Sequence, residues 1–277
     1  METKQPKAKK AKKESKGFRG IESAFLVIVV CFIIAVCIYT FILGDVNNFT
    51  DATKAEPKPG NMLGTIYKGG IIVPVLQTLL LTVLVLSIER AFAIMTAKGK
   101  GSLTKFVANV KAALAANDLA KAQEYCDKQR GSVGSVVTSA LKKYEMENNT
   151  ELTKEQKLAS IQKEVEEATA LELPTLEMNL AVIATMTTLG TLVGLLGTVL
   201  GMIRSFAALA TATGAPDSVA LSTGISEALV NTAFGIATGA CAVISYNFFT
   251  SKIDKITYAI DEVGFSIVQS YAANHSK

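Results

Sequence analysis

The sequence predicts an all-α, polytopic membrane bundle of four spans with a helical region between the second and third. Three observations carry that prediction. Apolar residues make up 49% of the chain and its mean hydropathy is +0.34. Charged residues make up 19%, below the roughly 25% of an average soluble domain. Four runs reach the ~18 apolar residues that mark a bilayer-crossing helix, and no run alternates apolar and polar residues as a strand would.

The elements follow in chain order. Residues 1–20 hold eight basic and two acidic residues and read as a basic cytoplasmic tail. Such a tail attracts anionic lipid headgroups at about 1 kcal/mol per basic residue near the surface. Topology alone explains a lysine run beside a span, so no nucleic-acid partner is predicted. The first span falls in 21–43 (AFLVIVVCFIIAVCIYTFIL). Its apolar stretch exceeds the 7–15 residues of a signal-peptide core and no A-x-A-like site follows, so it is predicted to be retained. Residues 44–68 form an outward, periplasmic loop. Pro57, Pro59 and Gly60 predict irregular structure there.

The second span lies in 69–97. Residues 98–172, with twelve basic and eleven acidic residues, are placed inside by the positive-inside rule once the tail is cytoplasmic. Phe106, Val107, Val110, Ala113 and Leu114 recur at helical spacing. Breaks are predicted at Asn117-Asp118 and at Arg130-Gly131-Ser132, and again at NNTELT. Thr153 and Gln156 make a capping box. The helix they open is expected to run into the third span, with a kink at Pro174. The third span lies in 173–210, a short periplasmic turn in 211–218, the fourth span in 219–250 and a cytoplasmic tail in 251–277. Both termini are therefore expected in the cytoplasm.

Several function classes are excluded. No segment gathers nucleophile, base and orienting group. No cofactor or metal site is predicted: His275 stands alone in a polar tail, Cys31, Cys37 and Cys241 fall in spans, and Cys126 falls in the inside region. Gly-rich stretches in span three lack a phosphate-loop lysine. No inverted repeat with broken helices suggests a small-solute transporter.

Spans three and four carry the polar residues. On a helical wheel Thr187, Thr191, Thr198 and Ser205 fall within about 40° of one another. Gly190, Gly194, Gly197 and Gly201 recur at intervals that let helices approach closely. In span four, Thr223, Glu227, Asn231, Thr238 and Ser245 fall within about 80°. Glu227 is the only charge of that run. An intramembrane carboxylate marks an ion or proton pathway by default; the bland alternative is a neutral Glu227 acting as glue between helices.

The stretches LGTLVGLLGTVLGMIRSFAALA and GISEALVNTAFGIATGACAVISYNFF resemble the last two spans of the MotA/TolQ/ExbB proton channel family, nearest in pattern to its ExbB members. Gly194-Leu195-Leu196-Gly197-Thr198-Val199, Gly201, Ile225-Ser226-Glu227-Ala228-Leu229, Thr232, Gly235 and Tyr246-Asn247 carry the likeness. Glu89-Arg90 resembles the usual exit of that family's first helix. The likeness extends over about 68–272 and leaves the N-terminal span extra. The resemblance implies a homo-oligomer, a pentamer, around a central pore that receives the helices of an ExbD-like dimer. It implies a motor in the bacterial inner membrane that uses the proton motive force to energise TonB-dependent outer-membrane transport. A TolQ-like envelope motor and a gliding or flagellar stator are the alternatives. The implied proton path comprises Glu227, Thr198 and Thr232; Thr191, Asn231, Gly194, Gly197 and Gly201 are secondary pore or helix-contact candidates. Thr232 lies about 140° from Glu227 on the wheel, so the two are expected to face different neighbours. Cys241 and Asn231 depart from the proline and alanine that many relatives carry there.

Overall fold

The computed structural model describes residues 23–54, 56–210 and 218–275. The basic tail expected at 1–20 lies outside them, as does the turn expected at 211–218 apart from Ser218. Nine α-helices are formed among the described residues: α1 (Ala24–Cys37), α2 (Met62–Tyr67), α3 (Ile72–Lys98), α4 (Leu103–Ala115), α5 (Leu119–Gln129), α6 (Gly131–Glu147), α7 (Lys154–Glu177), α8 (Leu180–Ala210) and α9 (Ser218–Asn274). Among the described residues the protein is all-helical, and four of the helical stretches there are long and apolar enough to cross a membrane. Two compact units divide the chain. One contains Met95–Ala168 and Ala259–Lys277, the other Gly20–Ile94 and Thr169–Tyr258.

The first unit is built like a water-soluble helical domain. Phe106, Val107, Val110, Ala113 and Leu114 of α4 are all buried, as their 3.6-residue period requires. Val136, Val137, Leu141 and Tyr144 of α6 join them, with Ile260, Val263, Ile267 and Tyr271 of α9. Tyr144 and Tyr271 meet edge to face at 4.7 Å. Polar side chains close the ends: Ser270 Oγ donates to the Leu114 carbonyl at 3.2 Å and Asn274 Nδ2 to Asn117 Oδ1 at 2.8 Å. The capping box is formed reciprocally, Thr153 N donating to Gln156 Oε1 at 3.1 Å and Gln156 N to Thr153 Oγ1 at 3.4 Å.

The second unit holds the apolar helices. The first apolar run leaves α-geometry at Ile38 and continues to Leu43 as a π-helical turn. The loop expected to face outward is more ordered than its prolines predict. Asn48 Nδ2 donates to the carbonyls of Ile42 and Leu43, and Asn48 Oδ1 accepts from Asn61 Nδ2. Phe49 pairs with Pro57 through an isolated bridge. Tyr39 stacks on Tyr67 at 4.7 Å and its hydroxyl donates to the Tyr67 carbonyl at 3.2 Å. These contacts fasten the N-terminal span to the segment that opens α3.

The helix expected to run into the third span with a kink at Pro174 keeps Pro174 inside it and ends at Glu177, three residues later. Asn179 then takes a left-handed φ of 64° and α8 begins at Leu180. The buried Arg90 explains why the break is tolerated. Its Nη1 donates to the Thr175 carbonyl at 3.0 Å and the Leu176 carbonyl at 3.3 Å, while Nε and Nη2 hold the two oxygens of Glu89. A guanidinium thereby serves carbonyls that the helix end leaves open, at the pole where positive charge is favoured.

Candidate functional site

The site lies where α8 and α9 cross. Glycines on α8 bring the two backbones together. A Cβ on Gly190 would lie 3.0 Å from Thr238, one on Gly194 would lie 2.9 Å from Gly235 Cα, and one on Gly201 would lie 2.7 Å from the Gly224 carbonyl. On Gly197 it would fall on the Asn231 side chain. Rising numbers on α8 meet falling numbers on α9, so the helices are antiparallel. All four glycines are buried, as are Ser205, Asn231 and Thr238 opposite or beside them.

Within this seam Thr198 and Thr232 are joined through their hydroxyls. Thr198 also donates to the Gly194 carbonyl at 3.2 Å and Thr232 to the Ala228 carbonyl at 3.0 Å. Two hydroxyl protons thus face three contacts, since each hydroxyl carries one proton and accepts through its lone pairs. Either hydroxyl can turn from its own helix toward the other. Thr191 is exposed and bonds back to the Thr187 carbonyl at 3.1 Å.

Glu227 occupies a different environment. Its side chain is 5% exposed and is held by Arg204 of α8, whose Nη1 lies 2.6 Å from Oε1 and 2.8 Å from Oε2. The Arg204 side chain is 56% exposed. The wall on the other side is backbone. Gly70 has a φ of +74°, and a Cβ there would run into Glu227 Oε1 and lie 3.3 Å from Arg204 Nη1. Asn231, one turn beyond Glu227, donates through Nδ2 to the Gly69 carbonyl at 2.9 Å. Tyr39 of the N-terminal span interacts electrostatically with both Glu227 and Arg204. Glu227 and Asn231 therefore use one face of α9 against the start of α3, and the Thr198–Thr232 pair lies on another.

The sequence-predicted residues thus separate into two groups, as the wheel angle required. Thr198 and Thr232 come together; Glu227 does not join them. Gly194, Gly197 and Gly201 face α9. Arg204 escapes the sequence reading because the apolar run of the third span stops at Ile203, one residue short. A signal was present: between Met178 and Ser251 the charges are Arg204, Asp217 and Glu227 only, so a single cation is available for the carboxylate. The tyrosine stack and Gly69-Gly70 gave no such signal, because their roles depend on contacts distant in sequence. Among the described residues no cluster of three or more His, Cys, Asp or Glu side chains is placed to hold a metal.

Residues 131–262 match the model of the MotA/TolQ/ExbB proton channel family. Over 88 residues the chain is 39% identical to an ExbB-like biopolymer transport protein of Synechocystis sp., covering 31% of this chain and 42% of that protein. Over 81 residues it is 40% identical to the Tol-Pal system protein TolQ of Pseudomonas aeruginosa, covering 29% of this chain and 35% of that one. The chain spans less than half the length of the curated relatives it matches. The family is one of channels, not of enzymes, and its match agrees with the four apolar helices of a membrane protein.

Proposed function

We propose, with the proton-channel match of residues 131–262 as premise, that the chain is the proton-conducting subunit of an ExbB-like motor in the bacterial inner membrane. It assembles as a homo-oligomer, a pentamer, around an ExbD-like dimer, with both termini in the cytoplasm. Proton entry turns one part against the other, and a TonB-like protein passes the work to outer-membrane transport. Glu227 receives the proton, and the Thr198–Thr232 pair, whose hydroxyls can reorient, lies along the path. The single observation that carries this reading is a buried carboxylate in an apolar helix, held by an arginine whose side chain the single chain leaves half exposed.

A TolQ-like envelope-maintenance motor is the second reading, and the likeness to the TolQ protein favours it. A mild-detergent pull-down of the chain from its native cells separates the two. Recovery of ExbD-like and TonB-like proteins supports Ton service, and TolR-like and TolA-like proteins support Tol service. In the same cells Glu227→Ala is expected to abolish energy transduction while the oligomer still assembles. Retained transduction in that variant contradicts the role given to Glu227.

A further inference from the structure

We propose that Arg204 gates the proton path: its guanidinium occupies the Glu227 carboxylate between transfers and swings away each time Glu227 takes a proton. The inference rests on the reading of Glu227 as the proton-receiving group.

Charge accounting leads to it. Paired, Arg204 and Glu227 sum to zero. A proton arriving at a carboxylate oxygen makes Glu227 neutral and removes the counter-charge of Arg204. Arginine does not give up its own proton in a protein, and an uncompensated cation is costly in a low-dielectric site. The half-exposed guanidinium then has no anion to hold it and relieves that cost by turning further to its open side. The geometry allows the movement. One nitrogen, Nη1, makes both contacts, so one rotation breaks both. The side chain is already 56% exposed, and Arg204 sits six residues before the end of α8, roughly 9 Å along the axis. A long basic side chain at that depth reaches the interface by snorkelling.

The other neighbours cannot serve this purpose. On the α3 side the carboxylate meets the Gly70 backbone, which has no side chain to withdraw. That backbone is anchored by Asn231 through the Gly69 carbonyl. From the N-terminal span, Tyr39 is tied by its stack and hydrogen bond to Tyr67. Among the described residues packed around Glu227, the movable charged group is Arg204. Opening the gate exposes the carboxylate from the side where α8 presents its arginine, and closing it excludes the next proton until the first has left.

The test uses the full-length chain alone, reconstituted in liposomes with a trapped pH-sensitive dye and an ionophore to carry compensating charge. Wild type is expected to be tight. Arg204→Gln removes the gate and is expected to raise proton entry on the order of tenfold, the factor that about 1.36 kcal/mol of barrier makes in a rate. Arg204→Lys is expected to stay near wild type. The double variant Arg204→Gln with Glu227→Gln is expected to be tight again, which a merely loosened fold would not achieve. A tight Arg204→Gln, or a leak that persists in the double variant, overturns the gate. If Arg204→Gln fails to assemble, Arg204→Cys on a Cys37→Ser, Cys241→Ser background replaces it. A cationic thiosulfonate added after reconstitution must then close the leak where a neutral one of equal size does not; any other pattern overturns the proposal. Failure here with transduction still lost in Glu227→Ala cells removes the gate alone, whereas retained transduction in those cells removes the proton-path reading beneath it.

Discussion

Among the described residues two carboxylate–guanidinium pairs lie in the apolar unit, and they are built to opposite ends. Glu89 and Arg90 are neighbours on α3. Arg90 is fully enclosed and spends further donors on the Thr175 and Leu176 carbonyls. Glu227 and Arg204 sit on different helices; the carboxylate is enclosed, the guanidinium is half open, and one nitrogen makes both contacts. The first arrangement cannot release its cation without opening a helix end. The second can do so by turning one side chain. Electrostatics of the same kind thus gives a rivet in one place and a latch in the other, and the difference lies in how many donors are committed and how much of the arginine is covered.

Breaking the rivet gives the largest expected change in stability. Arg90→Ala strips Glu89 of its guanidinium and uncovers two carbonyls, a loss of about 3–5 kcal/mol for a broken buried pair. A steep fall in the thermal midpoint of the detergent-solubilised oligomer would register it, and an unchanged midpoint would mean that the α7 end is held some other way. Overfilling the seam comes next. Gly197→Val puts side chain where Asn231 lies and is expected to cost about 1–3 kcal/mol, seen as lost assembly on size-exclusion chromatography. Opening the latch should cost least of the three. Arg204→Gln is expected to lower stability by less than about 1 kcal/mol, in the range of pairs with an open partner, since the enclosed Glu227 can become neutral by taking a proton. A midpoint drop as large as that of Arg90→Ala would erase the distinction between the pairs.

The smallest effect lies in the soluble-type unit and calibrates the others. Glu147 is buried, which pushes its carboxyl up, but Lys143, Ser160 and Thr150 contact the charged form and hold it net below the ordinary 4.5. Its folded value is depressed, so its contribution is fully present above about pH 4.5 and fades as pH falls through the lower folded value. Urea midpoints should therefore drop on acidification in wild type, and less in Glu147→Gln. In the same unit burial raises the Cys126 thiol to about 12, against the opposing hydrogen bond with Thr138. Cys126 is expected to resist maleimide at neutral pH until urea is added, and rapid labelling of the folded chain would contradict the packing of α5.

Periodicity made most of the fold legible. The α4 core residues and the capping box at Thr153 follow from local rules, and local rules also limit their partners. The four apolar runs needed only length and composition. The break at Asn179 was hidden because its cause, Arg90, lies 85 residues earlier and acts on carbonyls that no sequence pattern announces. At the site, the wheel correctly separated Thr232 from Glu227, because angle along a helix is fixed by geometry. The identity of the carboxylate's partner was not, since Arg204 sat just beyond the end of an apolar window. The role of Gly70 required the positive φ and the carboxylate behind it, neither of which a glycine in a loop discloses.

The central claim is that Glu227 passes the proton. The most direct measurement is proton flux into vesicles made from native membranes, comparing wild type with Glu227→Gln at equal amounts of assembled oligomer. Loss of flux down to the level of vesicles lacking the chain is the predicted result. Flux equal to wild type would contradict the claim and return Glu227 and Arg204 to a structural contact between α8 and α9.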